Sequence, residues 1–451
     1  MRALLLIIGV SLIVQAARPA DANDLLRLYQ LALTRDTVLQ AATHQRDAAI
    51  EARPQALSQW LPQLTGTAAR ERHFIAEQST SFGADCSPAS AATVHCGANG
   101  TTYGLTLTQT VWSYQAYSQL READAQAASA EAVYVGAQQD LVLRVAQAYF
   151  AVLGAQDQMN TLRLEREAYA MQLKQAQDRE RTGLGSRSDV EQAKSFYDLT
   201  AQSLIGSQNA LDDAELTLGT LVGDAPNHLA PLMEEIPLQA PDPASPAAWV
   251  DSALRDNPDV RAAELTTRAA ERDISVQRGR GMPTISVAGT DAKAVGPLVI
   301  GGDNTIATVG LYFNWPLYRG GAVASAVHQS RALYRQSESI LESTKRIREQ
   351  QTRAAYRNIL AGIQSINAAR LARDSAFTAM QTVRHDIEFN VSPEFILLQS
   401  QAQYYLAVNA YDQARYTYLA NVLILKQQAG RLTQQDLAMI DGLLVTGSSG
   451  P

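Results

Sequence analysis

The sequence predicts a mainly α-helical protein with β-hairpins, in which one structural plan occurs twice. Three observations carry this. Short motifs recur at constant offset: Ala32-Leu33 returns as Ala253-Leu254, and Leu61-Pro62-Gln63-Leu64 as Met282-Pro283-Thr284-Ile285, both 221 residues on. The run Leu105–Trp112 returns as Leu311–Tyr318 after 206, so the first copy holds 15 extra residues, where Cys86 and Cys96 fall. Two segments per copy alternate apolar with polar residues, the period of a strand with two unlike faces. Two stretches, about 114–180 and 321–387, contain no proline and space apolar residues by four and three, the period of a packed helix.

In chain order, Met1-Arg2, the apolar run Ala3–Val14 and Ala20-Asp21-Ala22 form a secretory signal over 1–22. About a dozen apolar residues is too few to span a bilayer, which takes about 20. The first repeat, 23–223, then holds a helix (24–60), a hairpin (63–112, with strands near 63–74 and 101–112) and a long helix (114–180). Leu141, Val145, Ala148, Val152, Ala155, Met159 and Leu162 form the long helix's seam. The polar break Arg181–Ser186 leads to a return helix (189–222) that ends at Gly223, a residue suited to a left-handed cap. Six prolines make 224–246 a linker.

The second repeat, 247–430, holds a helix (247–280), a hairpin (284–318), a long helix (321–387) and a return helix (394–429) ending at Gly430. In its hairpin the apolar face is Val309, Leu311, Phe313, Trp315 and Leu317 and the polar face Thr308, Gly310, Tyr312 and Asn314. Ala355, Ile359, Gly362, Ile366, Ala369, Ala376, Met380 and Val383 form its long seam, interrupted at Arg373. Residues 431–451 read as a C-terminal tail.

The 451 residues are 46% hydrophobic and 18% charged, which excludes a disordered chain. With 38 basic against 45 acidic residues and no basic block, nucleic acid is not an expected partner. Removal of Arg2, Arg18 and Asp21 with the signal leaves 36 of those basic and 44 of those acidic residues, a net charge of −8. An exported chain meets an oxidising compartment, so Cys86 and Cys96 are expected to pair as a local disulfide. No Cys follows the apolar run, which argues against a lipid anchor. Past Val14 nothing approaches a membrane helix, so entry into a membrane must be by strands. Four strands cannot close a barrel and an open sheet edge is not tolerated in lipid, so the chain must oligomerise.

At this point the residues resemble a known family. Leu61-Pro62-Gln63-Leu64, Gln109-Thr110-Val111-Trp112, Trp315-Pro316-Leu317-Tyr318-Arg319-Gly320-Gly321 and Thr182-Gly183-Leu184 followed by Ser188-Asp189-Val190 stand in the order of the TolC family of outer-membrane efflux and type I secretion channels. The resemblance covers about 24–440. It implies a homotrimer whose four strands per protomer make a twelve-stranded transmembrane β-barrel, continued by a long periplasmic α-helical barrel. It implies work with a periplasmic adaptor protein and an inner-membrane RND or ABC pump, in contact with outer-membrane lipid, as a passive exit duct. It places adaptor docking at Thr182, Gly183, Leu184 and, in the shorter second turn, Val391. The periplasmic gate falls on Asp189, Phe389, Ser392, Ile396 and Gln399; the last two replace the family's aspartates, which implies weaker block by cations.

Each of these residues has a plainer reading. Asp189 serves equally as a first-turn helix acid. Trp112, Trp315 and Tyr318 suit a membrane-interface girdle as well as the strand-to-helix swivel assigned to Trp112, Pro316, Tyr318, Gly320 and Gly321. His44, His73, His95, His228, His328 and His385 are scattered and no nucleophile elbow or phosphate loop occurs, so no enzyme, catalytic residue, cofactor or metal is expected. His95 beside the two cysteines imitates a metal site, but three candidate ligands in one loop favour the disulfide. The rival function is an exported, elongated coiled-coil scaffold without channel activity, which leaves the two-faced hairpins unexplained.

Overall fold

The computed structural model describes residues 25–76, 95–223, 228–295, 304–389 and 393–445. The expected signal over 1–22, Cys86 of the expected disulfide, Val391 and Ser392 lie outside the described residues. The fold is mostly helical with one small antiparallel sheet, and divides into two compact units.

The unit formed by 41–137 and 250–350 carries the sheet. Its strands β1 (Gln63–Ala76), β2 (His95–Ser113), β3 (Thr284–Val295) and β4 (Asn304–Asn314) lie in sequence order, each antiparallel to the next. The two hairpins of the two repeats are therefore fused into one sheet through β2 and β3. β4 stops at Asn314, short of the expected 318, because Pro316 has no N–H for a ladder.

Helices flank the strands. The single helix expected over 24–60 is three: α1 (Leu25–Arg35), α2 (Thr37–Ile50) and α3 (Ala52–Ser58). The break after α1 falls at Asp36, whose Oδ1 accepts from Leu39 N at 2.6 Å and so caps α2. The long helix α4 (Tyr114–Arg181) follows β2 without a connecting residue, and Ser113 Oγ accepts from Ala116 N at 3.2 Å to start it. Past α4 the first repeat closes with α5 (Arg187–Val222). The helix expected over 247–280 divides into α6 (Pro246–Asp256) and α7 (Pro258–Gly279), with Asn257 capping α7 and Pro258 at its first position. At the end of α7, a Cβ on Gly279 would come within 2.7 Å of Gln115 Cα, so only glycine lets these two backbones meet where strand becomes helix. The second repeat differs: β4 reaches α8 (Ala322–Glu388) through an irregular run ending in Gly320 (φ 60°) and Gly321 (φ 81°).

The other unit comprises the described residues up to Gln40, 138–249 and 351 onward. Leu141, Val145, Ala148, Val152 and Met159 of α4 are buried in it, as are Ala355, Ile359 and Ile366 of α8. In α9 (Glu394–Gln428) Leu419, Leu423 and Leu425 are buried as well, and Tyr416 of α9 meets Phe150 of α4 with ring centroids 6.0 Å apart. Arg373 interrupts the seam of α8 because its guanidinium lies over the Tyr411 ring at 4.6 Å and 3.5 Å from the Glu234 carboxylate. The linker is bound along α9: Arg415 Nη1 donates to Met233 O and Glu234 O, and the hydroxyls of Tyr411 and Tyr418 donate to Glu234 O and Gln239 O. The expected tail is ordered through Val445. It holds α10 (Gln434–Asp441), started by a Thr433–Asp436 capping box and anchored by Lys426 Nζ on Asp436 Oδ1 at 2.5 Å.

Candidate functional site

The strand register sorts side chains onto two faces of unlike chemistry. Directly paired residues share a face, so one row reads Leu64, Leu107, Gly289, Val309 and the next row on the opposite face reads Thr65, Thr106, Thr290, Thr308. The first face continues through Tyr103, Leu105, Val287, Leu311 and Phe313. It is bare: Leu64 is 68% exposed, Phe313 64%, Leu311 71% and Val309 85%. So many adjacent exposed apolar side chains mark a surface made for a non-aqueous neighbour.

The second face is polar without being charged over most of its length. It carries Thr102, Thr108, Thr110, Ser286, Tyr312 and Asn314 besides the threonine row, in which Thr106 Oγ1 and Thr290 Oγ1 are 3.5 Å apart. Glu71 joins it near the hairpin end of β1. β1 and β4 remain at the sheet edges, each with one side open to another strand.

The register also decides Trp112. A bulge between Thr110 and Trp112 pairs Trp112 with Ile285, which returns it to the apolar face in the row that continues to Phe313. Strict alternation would have left it among the threonines. Trp315, Leu317 and Tyr318 are exposed in the irregular run that follows β4.

A second cluster lies where α4 ends and α5 begins. Gly183 (φ 75°) adopts the left-handed conformation that closes the turn, with Leu184 N and Gly185 N donating to Arg179 O at 2.9 and 3.0 Å. This leaves Leu184 78% exposed, while Thr182 Oγ1 is turned back onto Asp178 O. Asp189 sits in a capping box, accepting from Ser186 N at 3.1 Å while Ser186 Oγ accepts from Ser188 N. The carboxylate is thus engaged by its own helix start.

The α4 end and the start of α9 meet through Arg179 Nη1 and Glu394 Oε1 at 2.5 Å. The pair borders a cleft of about 170 Å³ with Leu184, Asp189, Ile387 and Pro393. Beneath it Tyr169, Ala176, Ala193 and Leu398 form a small core, with the Tyr169 hydroxyl donating to Glu165 Oε1 at 3.0 Å. Ile396 and Gln399 lie on the exposed side of α9, opposite buried Leu397 and Leu398. Phe389 is exposed and edges the His385 ring at 4.8 Å. Sequence reading passed over Arg179 and Glu394 because neither stands in a motif, and their separation of 215 residues hides the pairing.

A third group sits in a cavity of about 480 Å³ between α2, α4, α7 and α8, lined by alanines and by Glu122, Asp273 and Arg46. Asp273 accepts from Ser330 Oγ and Gln277 Nε2 at 2.5 and 2.7 Å. Burial, and after it the charge of Asp273, pushes the Glu122 pKa up to about 6.

Among the described residues no helix is long and apolar enough to cross a membrane, and no group of three or more His, Cys, Asp or Glu is placed to hold a metal.

The chain is similar to known proteins along most of its length. A family described as outer membrane efflux protein matches residues 28–224 and 249–431. The alkaline protease secretion protein AprF of Pseudomonas aeruginosa is 28% identical over 441 residues, 95% of this chain and 89% of that protein. The outer membrane protein TolC of Escherichia coli is 29% identical over 440 residues, 94% and 86%. The solved Campylobacter jejuni CmeC outer membrane channel shares the fold at 16% identity, with a TM-score of 0.77, over 94% of this chain and 90% of that one.

Proposed function

We propose, from the premise that the chain belongs to the outer membrane efflux protein family, how its residues divide the work of an exit duct. The protein is an outer-membrane channel of tripartite efflux or type I secretion machinery in a Gram-negative bacterium. It acts as a trimer with an adaptor protein and an inner-membrane transporter. Its family and structural neighbours are channels; we read this chain too as a conduit that performs no catalysis, needing no cofactor because the energy enters at the pump.

The observation that carries the reading is the two-faced sheet with open edges. Lipid accepts a sheet only when every edge is paired. Joining β4 of one protomer to β1 of the next closes the edges, turns the apolar face outward and makes the threonine row, four per protomer, a ring of twelve around water. In this division of labour Gly279 and Ser113 set the first strand-to-helix passage, and Pro316, Tyr318, Gly320 and Gly321 the second. Trp112 belongs to the lipid interface in place of the swivel.

Exposed Leu184 and the turn Thr182-Gly183 form the adaptor-docking surface. At the same end Arg179 and Glu394 hold α9 against α4, while Asp189 serves as a cap. Arg179→Ala frees α9 and raises single-channel conductance severalfold, and Arg179→Lys does so less; unchanged currents in both would remove the pair from the gate.

The duct reading is tested by purifying the full chain, assaying a heat-sensitive trimer on gels and recording planar-bilayer currents. Stable steps of conductance are expected. An exported trimer that never conducts would favour the coiled-coil scaffold.

A further inference from the structure

The apolar face is interrupted by charge at one end only. Beyond the row Ala68, Tyr103, Lys293, Thr305 comes the row Arg70, Thr101, Val295, and then Arg72 with Asn99. Strand pairing puts Lys293, Arg70 and Arg72 on the same face as Leu64, Leu107 and Val309, and all three are exposed. Among the described residues, the one acid on that face at this end is Asp291, two residues inward of Lys293 and beside Leu105 and Ala307. Glu71 is on the other face. Among the described residues of this face, three cations stand here against one anion.

The spacing places these cations at a membrane boundary. Ile285 to Lys293 is eight residues, about 26 Å along a strand at about 3.3 Å per residue, and about 20 Å across a bilayer at a tilt of about 40°. Arg70 and Arg72 lie one and two rows further out. The apolar band of such barrels is about 25 Å tall, so the three side chains reach past hydrocarbon into headgroups. This is the hairpin end of the sheet. The opposite end continues into α4 and α8, which are on the periplasmic side, so the cations face the outer leaflet. Arg70 and Lys293 stand about 12 Å apart at the backbone, two strands over and one row along. Their long side chains can converge on one anionic group, to which guanidinium offers paired donors.

We propose that Arg70, Arg72 and Lys293 form a binding site for phosphate-bearing headgroups of outer-leaflet lipid. The proposal rests on the duct reading, because it needs the apolar face in lipid. Cations there are expensive if only hydrocarbon is near and favourable if phosphate is supplied. Asp291 shares that face two residues inward of Lys293, on the side toward the apolar band. Tyr103, in the row of Lys293, adds an aromatic ring suited to the same interface.

The test uses the intact trimer in detergent, titrated with bisphosphorylated lipid A and with fully dephosphorylated lipid A, bound lipids being counted by native mass spectrometry. Wild type is expected to prefer the phosphorylated lipid by about tenfold or more, and excess inorganic phosphate should leave that binding unchanged. Arg70→Gln, Arg72→Gln and Lys293→Gln together should abolish the preference, and the charge-conserving set Arg70→Lys, Arg72→Lys and Lys293→Arg should retain it. Equal binding of the two lipids by wild type, or displacement by free phosphate, overturns the proposal without needing any variant to fold. Planar-bilayer currents from wild type separate the two readings: a conducting trimer without lipid preference sinks only the headgroup site, and a trimer that does not conduct sinks the duct.

Discussion

Glu122 shows how far a single side chain can be set by its neighbours. It lies in an alanine-lined cavity with Asp273, whose oxygens are occupied by Ser330 and Gln277, so water solvates neither carboxylate fully. Its pKa in the folded state, about 6, is above the ordinary 4.5. The folded protein then binds more protons than the unfolded one between these values, so stability falls as pH rises from about 4.5 to 6 and the penalty is complete above 6. Glu122→Gln removes it. The variant should gain about 1 kcal/mol at pH 7.5, allowing for solvent screening of a half-exposed group, and should melt like wild type at pH 4.5. A gain of equal size at both pH values would contradict the assignment. Asp36 is the opposite case: burial disfavours its charge, but the Arg144 guanidinium and the Leu39 N–H outweigh it and hold the carboxyl below its usual range. The cap it gives α2 is a local contact, whereas the arginine lies 108 residues away and only folding brings it in.

Among the elements, the strands test the two-face assignment most directly because Val309 and Thr308 are adjacent and point to opposite sides. Val309→Arg puts a charge among Leu64, Leu107 and Gly289, at a cost of about 2–4 kcal/mol if that row is in mid-bilayer. Thr308→Arg puts it in the threonine row, in water. Trimer recovered from the outer-membrane fraction should drop sharply for the first and stay near wild type for the second; the reverse pattern would turn the sheet inside out. Period two made most of this legible in the sequence. Period two does not extend to Trp112, since the inserted residue at the bulge after Thr110 reverses the faces. The short helices were misread for a related reason. Asp36 and Asn257 are ordinary polar residues within helical runs, and a cap becomes visible only when the backbone turns on it.

For the whole molecule, trimer symmetry multiplies each tip residue by three around one axis. Ile396 and Gln399 stand exposed on α9, and the resemblance puts them at the gate, where an acidic ring would attract multivalent cations. Trivalent cations added on the periplasmic side should therefore reduce single-channel current only weakly, and Gln399→Asp should strengthen the block. Strong block of the unaltered channel would show that other carboxylates line the aperture.

What the sequence by itself determined is the plan: two repeats, two hairpins, two long helices and the chemistry of each face. These follow from local periodicity, which solvent and backbone geometry enforce within a few residues. The tertiary structure decided which distant groups meet. It fused the hairpins into one sheet through β2 and β3, set Arg179 on Glu394, bound the linker to Tyr411 and Arg415, and aligned Arg70 with Lys293 on one face. Such pairings depend on register and close approach between segments far apart in the chain, and no local pattern of residue types encodes them.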